Sequence, residues 1–221
     1  MKETVGALKA TVDSGKLKPG VSLGQHIAIS KGLQAAHDAE FPQQMADLKA
    51  MAPADATVKG RVKKLESVLG KLDRKPKYGT AEAMQDITGM RVTAHTLEGV
   101  EQTVAGIKAK YKVVEEDNYI ANPKPENGYR SHHLIIETKP GVMKEVQVRT
   151  HDQNKHAEWA HDVYKPQTKA QKEVLASHAD EIQAYSKAVA EHFHAKALGK
   201  PAGEKPRPSA LIKEHFGEIA D

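Results

Sequence analysis

Two stretches of the chain alternate apolar and polar residues with a period of two, which is the pattern of a β-strand with one buried face. They read DITGMRVTAH at residues 86–95 and EVQVR at residues 145–149. In the second stretch Glu145, Gln147 and Arg149 share one face, and the two valines between them share the other. A strand buried in a core rarely needs such a polar triplet, so this face is a candidate for handling phosphate groups.

A helix and a third strand follow residues 86–95. Thr96 can cap a helix whose apolar residues lie three and four positions apart, and residues 112–116 form the next strand. This β-α-β order predicts an α/β fold, a mixed sheet flanked by helices. The rest of this region predicts turns at Asn127-Gly128 and Pro140-Gly141, a strand at residues 134–136 and a helix at residues 151–164.

Residues 57–75, TVKGRVKKLESVLGKLDRK, have apolar residues at helical spacing, and Pro76 ends the run. The spacing predicts one helix, with Lys63, Ser67 and Lys71 in a stripe beside the apolar one. Such a stripe is either a solvated cationic face or a cradle for a polyphosphate. In the second case Arg61, at the start of the predicted helix, can stack its guanidinium on a base.

Helical patterns also occupy both ends of the chain. Residues 1–54 predict two or three short helices separated at Pro42, and residues 168–198 predict one long amphipathic helix that packs against the sheet. A linker rich in Pro and Gly and a short final helix follow, either loose or docked. The predicted organisation is a helical extension at 1–56, a catalytic domain at 57–198, and a linker with a terminal helix at 199–221.

The amino-acid composition limits the number of domains, the expected location and the possible cysteine chemistry. The 221 residues are 39% hydrophobic and 28% charged with a mean hydropathy of −0.60, and they suit one globular domain with appendages. No apolar run approaches the roughly 20 residues that span a bilayer, and the first residues lack the apolar core of a signal peptide, so a cytoplasmic site of action is expected. The absence of cysteine excludes disulfides and thiolate chemistry.

The net charge and the spacing of the histidines limit the classes of ligand that the chain is expected to bind. A net charge of +4 suits anionic substrates such as nucleotides and is weaker than duplex DNA binding requires, so no duplex DNA partner is predicted. The lack of a long apolar run predicts no membrane partner. Among the twelve histidines, His151, His156 and His161 lie five residues apart and do not share a helix face. A helical zinc site, which uses a spacing of four, is therefore not favoured.

Taken together, five motifs resemble the synthetase domain of the RelA/SpoT alarmone synthetases, ATP:GTP 3′-pyrophosphotransferases, and in particular its small single-domain members. They are GRVKKLESVLGK, DITGMR, NPKPENGYRSHH, EVQVRT and HAEWAHDVYK, in the family's order between residues 57 and 165. The resemblance implies a nucleotidyltransferase-like fold that transfers pyrophosphate from ATP to the 3′-hydroxyl of GDP or GTP.

The resemblance also implies roles for individual residues. Arg61 and Arg91 would hold the adenine of ATP, and Lys63, Ser67 and Lys71 its phosphates. Asp86 would bind Mg²⁺, and Glu145 would complete the metal site or act as general base, so these two carboxylates are the expected catalytic residues. The expected acceptor site comprises Lys124, Asn127, Tyr129, His133, Gln147 and Arg149, with Tyr129 stacking on the base.

Two departures from the family's pattern fall near the expected acceptor site. Pro125 and Glu126 both separate Lys124 from Asn127, where the family has one residue, and His132 replaces an aliphatic residue. The acceptor therefore stays open between guanine nucleotides and, for a toxin-type relative, adenine nucleotides or the tRNA 3′ end. An inactive nucleotide sensor and a metal-dependent nuclease are further alternatives. A homo-oligomer and a neutralising antitoxin or immunity partner are open as well.

Overall fold

The computed structural model describes residues 1–220 and contains one five-stranded sheet. The strands are β1 (Thr57–Val62), β2 (Thr88–Ala94), β3 (Lys112–Asn118), β4 (His132–Lys139) and β5 (Val142–Thr150). Their order is β1-β2-β5-β4-β3, in which β2 and β5 are parallel and every other pair is antiparallel. The predicted mixed α/β sheet is thus confirmed, with β5 at its centre.

Eight α-helices surround the sheet in the described residues. They are α1 (Lys2–Asp13), α2 (Leu23–Met51), α3 (Leu65–Arg74), α4 (Leu97–Lys110), α5 (His151–Val163), α6 (Lys169–Ser177), α7 (Ala179–Ala197) and α8 (Ala210–Phe216). Thr96 caps α4 by accepting a hydrogen bond from the Gly99 amide at 3.0 Å, as the sequence predicts. Across residues 1–220, no helix is long and apolar enough to cross a bilayer.

One face of the sheet packs on α2 and α4 and forms the main core. Its fully buried residues include Val92, Leu134, Val146 and Val148, which pack with Leu48 of α2. Gly60 of β1 lies against this helix, where an added Cβ would come within 2.8 Å of Met45 Sδ and 2.9 Å of Phe41 Cε2. The missing side chain therefore lets α2 lie close to β1.

The helix predicted over residues 57–75 is wrong in its first half. Residues 57–62 form β1, which pairs antiparallel with β2 over six residues, and only the part from Leu65 onward is helical. The sequence TVKGRV also alternates with the period of a strand. The pairing partner of this strand lies about thirty residues further along the chain, so the local pattern does not reveal it. The helical spacing that begins at Val62 therefore favoured a helix.

Two other helical boundaries also differ from the prediction. Helix α2 runs for 29 residues through Pro42, because buried residues on both sides of the proline, including His37 and Leu48, hold the two halves in one helix. The helix predicted over residues 168–198 is broken at His178 into α6 and α7. Its apolar stripe packs on α5 and α8 rather than on the sheet, in a second core that contains Trp159.

The end of the chain docks on this second core. Ile212 of α8 and Ile219 beyond it are each 1% exposed. The Trp159 indole donates to the Gly217 carbonyl at 3.4 Å, and the Ile219 amide donates to the Tyr185 hydroxyl at 3.2 Å. These contacts hold α5 and α7 in place above the other face of the sheet, which carries the candidate site.

Candidate active site

Polar side chains form a row across the sheet on the face opposite the main core. The pairing register aligns one residue from each of the five strands, in the order Lys59, Arg91, Gln147, His133 and Asp117. Neighbouring positions on the same face add Arg61, Glu145 and Arg149. Because paired residues of adjacent strands point to the same side, the register alone brings together side chains from all five strands.

Asp86 lies just before β2 and forms two ion pairs. Lys71 Nζ is 2.6 Å from its Oδ1, and Lys63 Nζ is 3.0 Å from its Oδ2. Burial opposes the charged form, but the two ammonium groups outweigh it and hold the pKa of Asp86 below its ordinary value. The two lysines therefore converge on one ionised carboxylate, although only Lys71 lies on a helix.

Glu145 of β5 lies beside Gly89, the second residue of β2. His133 Nδ1 is 3.6 Å from its Oε1, and Gln147 donates to its Oε2 at 3.1 Å. His133 lowers the pKa of Glu145 and outweighs the opposing effect of burial, while the charge of Asp86 acts to raise it. The two carboxylates are thus close enough to interact electrostatically, and both are ionised at neutral pH.

This pair of carboxylates fits Mg²⁺ in its donor chemistry. Mg²⁺ prefers hard oxygen ligands and is commonly held by one or two carboxylates together with substrate phosphates and water. Asp86 and Glu145 supply such oxygens next to two lysines that can bind phosphate. In residues 1–220 there is no cluster of three or more His, Asp or Glu that could hold a metal through protein ligands alone. A bound metal would therefore depend on the substrate for further ligands.

Tyr129 is the centre of an aromatic and cationic cluster next to Glu145. Its hydroxyl is 2.7 Å from His133 Nε2 and accepts a hydrogen bond from Arg149 Nη1 at 3.1 Å. The Lys124 ammonium lies 5.6 Å from the centre of its ring and 4.8 Å from that of Tyr119. The ring of Tyr119 packs edge-on against His133 at 5.2 Å. These side chains form a surface that can receive a base and a phosphate.

The loop before β4 presents Tyr129. The Asn127 side chain accepts a hydrogen bond from the Tyr129 amide at 3.0 Å, and the Gly128 amide donates to the Lys124 carbonyl at 2.8 Å. Gly128 has a φ of +72°, which favours glycine. The Asn-Gly turn predicted from the sequence is therefore present, and Pro125 and Glu126 are both exposed on its outer side.

The structure places two predicted residues at the margin of the site. Arg61 is exposed on β1, diagonal to Arg91 on the neighbouring strand, and Ser67 is exposed in the first turn of α3. The family resemblance placed His132 near the expected acceptor site, but the structure places this side chain elsewhere. It pairs with Val148 on the core face, and its Nε2 lies 2.6 Å from Glu116 Oε1. This departure therefore does not alter the candidate acceptor pocket.

Two residues of α5 belong to the site although the sequence reading missed them. Asn154 Oδ1 accepts hydrogen bonds from Arg91 Nη1 at 2.7 Å and from Arg149 Nε at 3.1 Å. Glu158 forms an ion pair with Arg91 at 2.9 Å. They lie four residues apart on one helix, a spacing that places them on one face. That spacing is the only local signal, and it does not show that the two arginines on β2 and β5 are the partners.

The chain is similar to known proteins in both sequence and fold. A family model described as a region found in RelA / SpoT proteins matches residues 60–169. GTP pyrophosphokinase YwaC of Bacillus subtilis is 32% identical over 154 residues, which cover 64% of this chain and 71% of the relative. A GTP pyrophosphokinase of Photobacterium angustum is 30% identical, and the match spans only 18% of that longer protein.

Two solved structures from Bacillus subtilis share the fold. Small alarmone synthetase 1, bound to its product pppGpp, has a TM-score of 0.57 and 26% identity, with coverage of 74% of this chain and 91% of that one. Small alarmone synthetase 2 has a TM-score of 0.55 and 30% identity, with coverage of 80% and 96%. The sequence match and the fold match therefore point to the same family.

Proposed function

The chain belongs to the RelA/SpoT family of pyrophosphotransferase enzymes, and we propose that it transfers the β,γ-pyrophosphoryl group of ATP to the 3′-hydroxyl of GDP or GTP. The observation that carries this proposal is the pair of ionised carboxylates, Asp86 and Glu145, of which Asp86 is ion-paired with Lys63 and Lys71. A site that moves a polyphosphate needs both kinds of charge, because cations stabilise the phosphates and a carboxylate accepts the proton of the nucleophile.

The donor side of the proposed reaction uses the cationic edge of the sheet. Arg61 and Arg91 hold the adenine, and Lys63, Ser67 and Lys71 bind the phosphates. Because Arg91 forms an ion pair with Glu158 and a hydrogen bond with Asn154, ATP must either share this arginine with α5 or displace these contacts. Asp86, with a contribution from Glu145, would hold Mg²⁺, which would supply neutralisation of the charge that develops on the phosphates.

The acceptor side supplies the nucleophile. Tyr129 stacks on the base, while Lys124, Asn127, His133, Gln147 and Arg149 surround the sugar and the transferred group. The 3′-oxygen attacks the β-phosphorus, the bond from that phosphorus to the oxygen of the α-phosphate breaks, and AMP leaves. Glu145 accepts the 3′-hydroxyl proton, for which its lowered pKa keeps it ionised at neutral pH. ATP and guanine nucleotides are cytoplasmic metabolites, so the proposed reaction takes place there.

One observation favours testing a second class of acceptor. Pro125 and Glu126 are exposed on the loop that presents Tyr129, next to the candidate acceptor surface. Glu126 adds a negative charge to this loop, and we propose that this charge contributes to the choice of acceptor. Adenine nucleotides and the tRNA 3′ end are therefore the alternative acceptors, as expected of a toxin-type relative.

The experiment is a transfer assay with ATP labelled at the β- or γ-phosphate. Purified protein is incubated with Mg²⁺ and, in turn, GDP, GTP, ADP, ATP and deacylated tRNA, and both label transfer and AMP release are measured. We expect both with a guanine nucleotide. Transfer only to adenine nucleotides or tRNA selects the second acceptor class. Absence of transfer to all of them overturns the proposed function, and acceptor cleavage without transfer indicates a nuclease.

A further inference from the structure

The second core extends to the acceptor loop through one buried hydrogen-bond chain. The Ser186 hydroxyl of α7 donates to the Asn127 carbonyl at 2.9 Å, and His156 Nε2 of α5 lies 2.9 Å from the same hydroxyl. Ser186 is completely buried and His156 is 1% exposed. The chain therefore links α5 and α7 to the loop, and its two helical members are shielded from water.

The number of available protons fixes which group donates and which accepts in each of these hydrogen bonds. A serine hydroxyl has one proton, which Ser186 donates to Asn127, so its oxygen must accept from His156. Burial lowers the pKa of His156 to about 4, so the ring is neutral at physiological pH. The neutral ring must therefore carry its proton on Nε2, which also lies 3.1 Å from the Ser186 carbonyl. The His156 ring therefore binds both the hydroxyl and the carbonyl of Ser186, and it also reaches the Asn127 carbonyl.

Van der Waals contact holds the same loop from a second direction. Gly128 is buried against α7, where an added Cβ would lie 2.9 Å from Ala190 Cβ and 3.1 Å from the Lys187 Cα. The positive φ of Gly128 already disfavours any side chain. Asn127 and Gly128 are thus both fixed on α7, whereas Pro125 and Glu126 are exposed. The loop is anchored at the end that carries Tyr129 and open at the end that carries the extra residue.

We propose that Ser186 and His156 are positioning residues that set the acceptor site through Asn127, although neither touches the reacting groups. This inference rests on the proposed function, since it assigns the anchored loop to acceptor binding. Loss of the Ser186 hydroxyl removes one of the two groups that bind the Asn127 carbonyl, the other being His156, and the loop moves to restore the lost hydrogen bond with water. Tyr129 then loses its fixed position relative to Glu145, while the lysines around Asp86 stay in place.

The test compares Ser186→Ala with Ser30→Ala. Ser30 is an equally buried helical serine, but its hydroxyl donates to the His26 carbonyl four residues earlier in its own helix, on the far side of the molecule. We expect Ser186→Ala to raise the KM of the acceptor nucleotide about tenfold while the KM of ATP changes less than about twofold, as for one buried hydrogen bond lost on the acceptor side. Ser30→Ala should change neither value, and Ser186→Thr, which keeps the hydroxyl, should recover most of the loss.

A second measurement does not depend on activity. Amide hydrogen exchange over residues 124–131 should be faster in Ser186→Ala than in Ser30→Ala or the unmodified chain. Gly128→Ala, which disturbs the contact from the loop side and leaves α7 unchanged, should have the same effect. If exchange over these residues is the same in all four proteins, the positioning role is wrong. If the unmodified chain transfers to no acceptor, the proposed function fails, and the exchange result alone decides whether α7 anchors the loop.

Discussion

The two faces of β5 carry opposite charges at neighbouring residues, and they use those charges differently. Lys144 points into the main core with no exposed surface, where its ammonium contacts Glu40 at 2.7 Å and Gln44 at 2.8 Å. Glu145 points to the opposite face and contacts His133 and Gln147. One strand therefore joins a closed ion pair in the core to an open carboxylate in the candidate site.

The difference lies in what completes each cluster. Glu40 also accepts a hydrogen bond from the Thr138 hydroxyl at 2.7 Å, and although burial opposes it, these partners lower the pKa of Glu40 to about 2. The core cluster is complete within the protein. Around Glu145 and Asp86 the protein supplies only part of the ligands, and both carboxylates retain exposed surface. A fully satisfied cluster stabilises the fold, whereas a partly satisfied one leaves room for a substrate.

The largest expected effect is on activity, from the open face. Glu145→Gln removes the proposed proton acceptor while it preserves the shape of the side chain, and we expect transfer to fall at least about a thousandfold. Asp86→Asn should have a similar effect, because it removes the charge that the two lysines surround. Thermal denaturation should show a much smaller loss in either variant, since the lowered pKa of each carboxylate means that its ionised form also stabilises the fold. Near-normal transfer by Glu145→Gln would show that the carboxylate has no role in proton transfer.

The next effect is on stability, from the closed face. Glu40→Gln leaves the Lys144 ammonium buried without a counter-charge, and loss of one partner of a buried pair costs about 3–5 kcal/mol of the free energy of unfolding. The double variant Glu40→Leu with Lys144→Met removes both charges and should lose much less. Urea denaturation measures both values. Equal losses in the single and double variants would contradict the assignment of a closed ion pair.

Acid should lower the free energy of unfolding through two buried histidines, which lie on opposite sides of the sheet. Burial lowers the pKa of His37 and of His156 from 6.5 to about 4. Between these values the unfolded chain binds protons that the folded chain does not, so stability is complete above about pH 6.5 and falls as the pH approaches 4. Each histidine contributes up to about 3 kcal/mol to this loss. Across this range the free energy of unfolding should depend less on pH in His37→Asn than in the unmodified chain. In His161→Gln the dependence should be unchanged, since His161 is exposed.

The smallest effect separates two lysines that share one partner. Lys139 also contacts Glu40, at 2.9 Å, but its side chain is 68% exposed. Lys139→Ala should therefore lower the free energy of unfolding by less than about 0.5 kcal/mol, as for exposed ion pairs. Lys144→Ala, measured in the same urea experiment, should lose several times more. Similar losses would mean that burial does not distinguish the two pairs.

The sequence predicted the polar face of β5 because that prediction needs only local alternation. The positions of Glu145, Gln147 and Arg149 on one side follow from a period of two and do not depend on the partner strand. The cap at Thr96 and the turn at Asn127-Gly128 are local for the same reason. The roles of these residues in substrate binding remain predictions.

Other features depend on distant partners and were not predictable from local pattern. Lys144 is buried because Glu40, about a hundred residues earlier, supplies its counter-charge. Residues 57–62 form a strand because β2 is available for pairing. Helix α2 continues through Pro42 because the sheet and α3 hold both of its halves. In each case long-range packing outweighs a local preference, and a single sequence does not show which long-range contact will form.

The central place of β5 also has a consequence for how the chain folds. The β4–β5 hairpin closes through two residues, Pro140 and Gly141, and is a local event. Pairing of β5 with β2 joins residues more than fifty positions apart, and such non-local pairing is slow. That same step brings Glu145 next to Asp86 and seals Lys144 against α2. An intermediate that lacks it has neither a complete core nor a complete site, so enzymatic activity and resistance to unfolding should appear together during refolding.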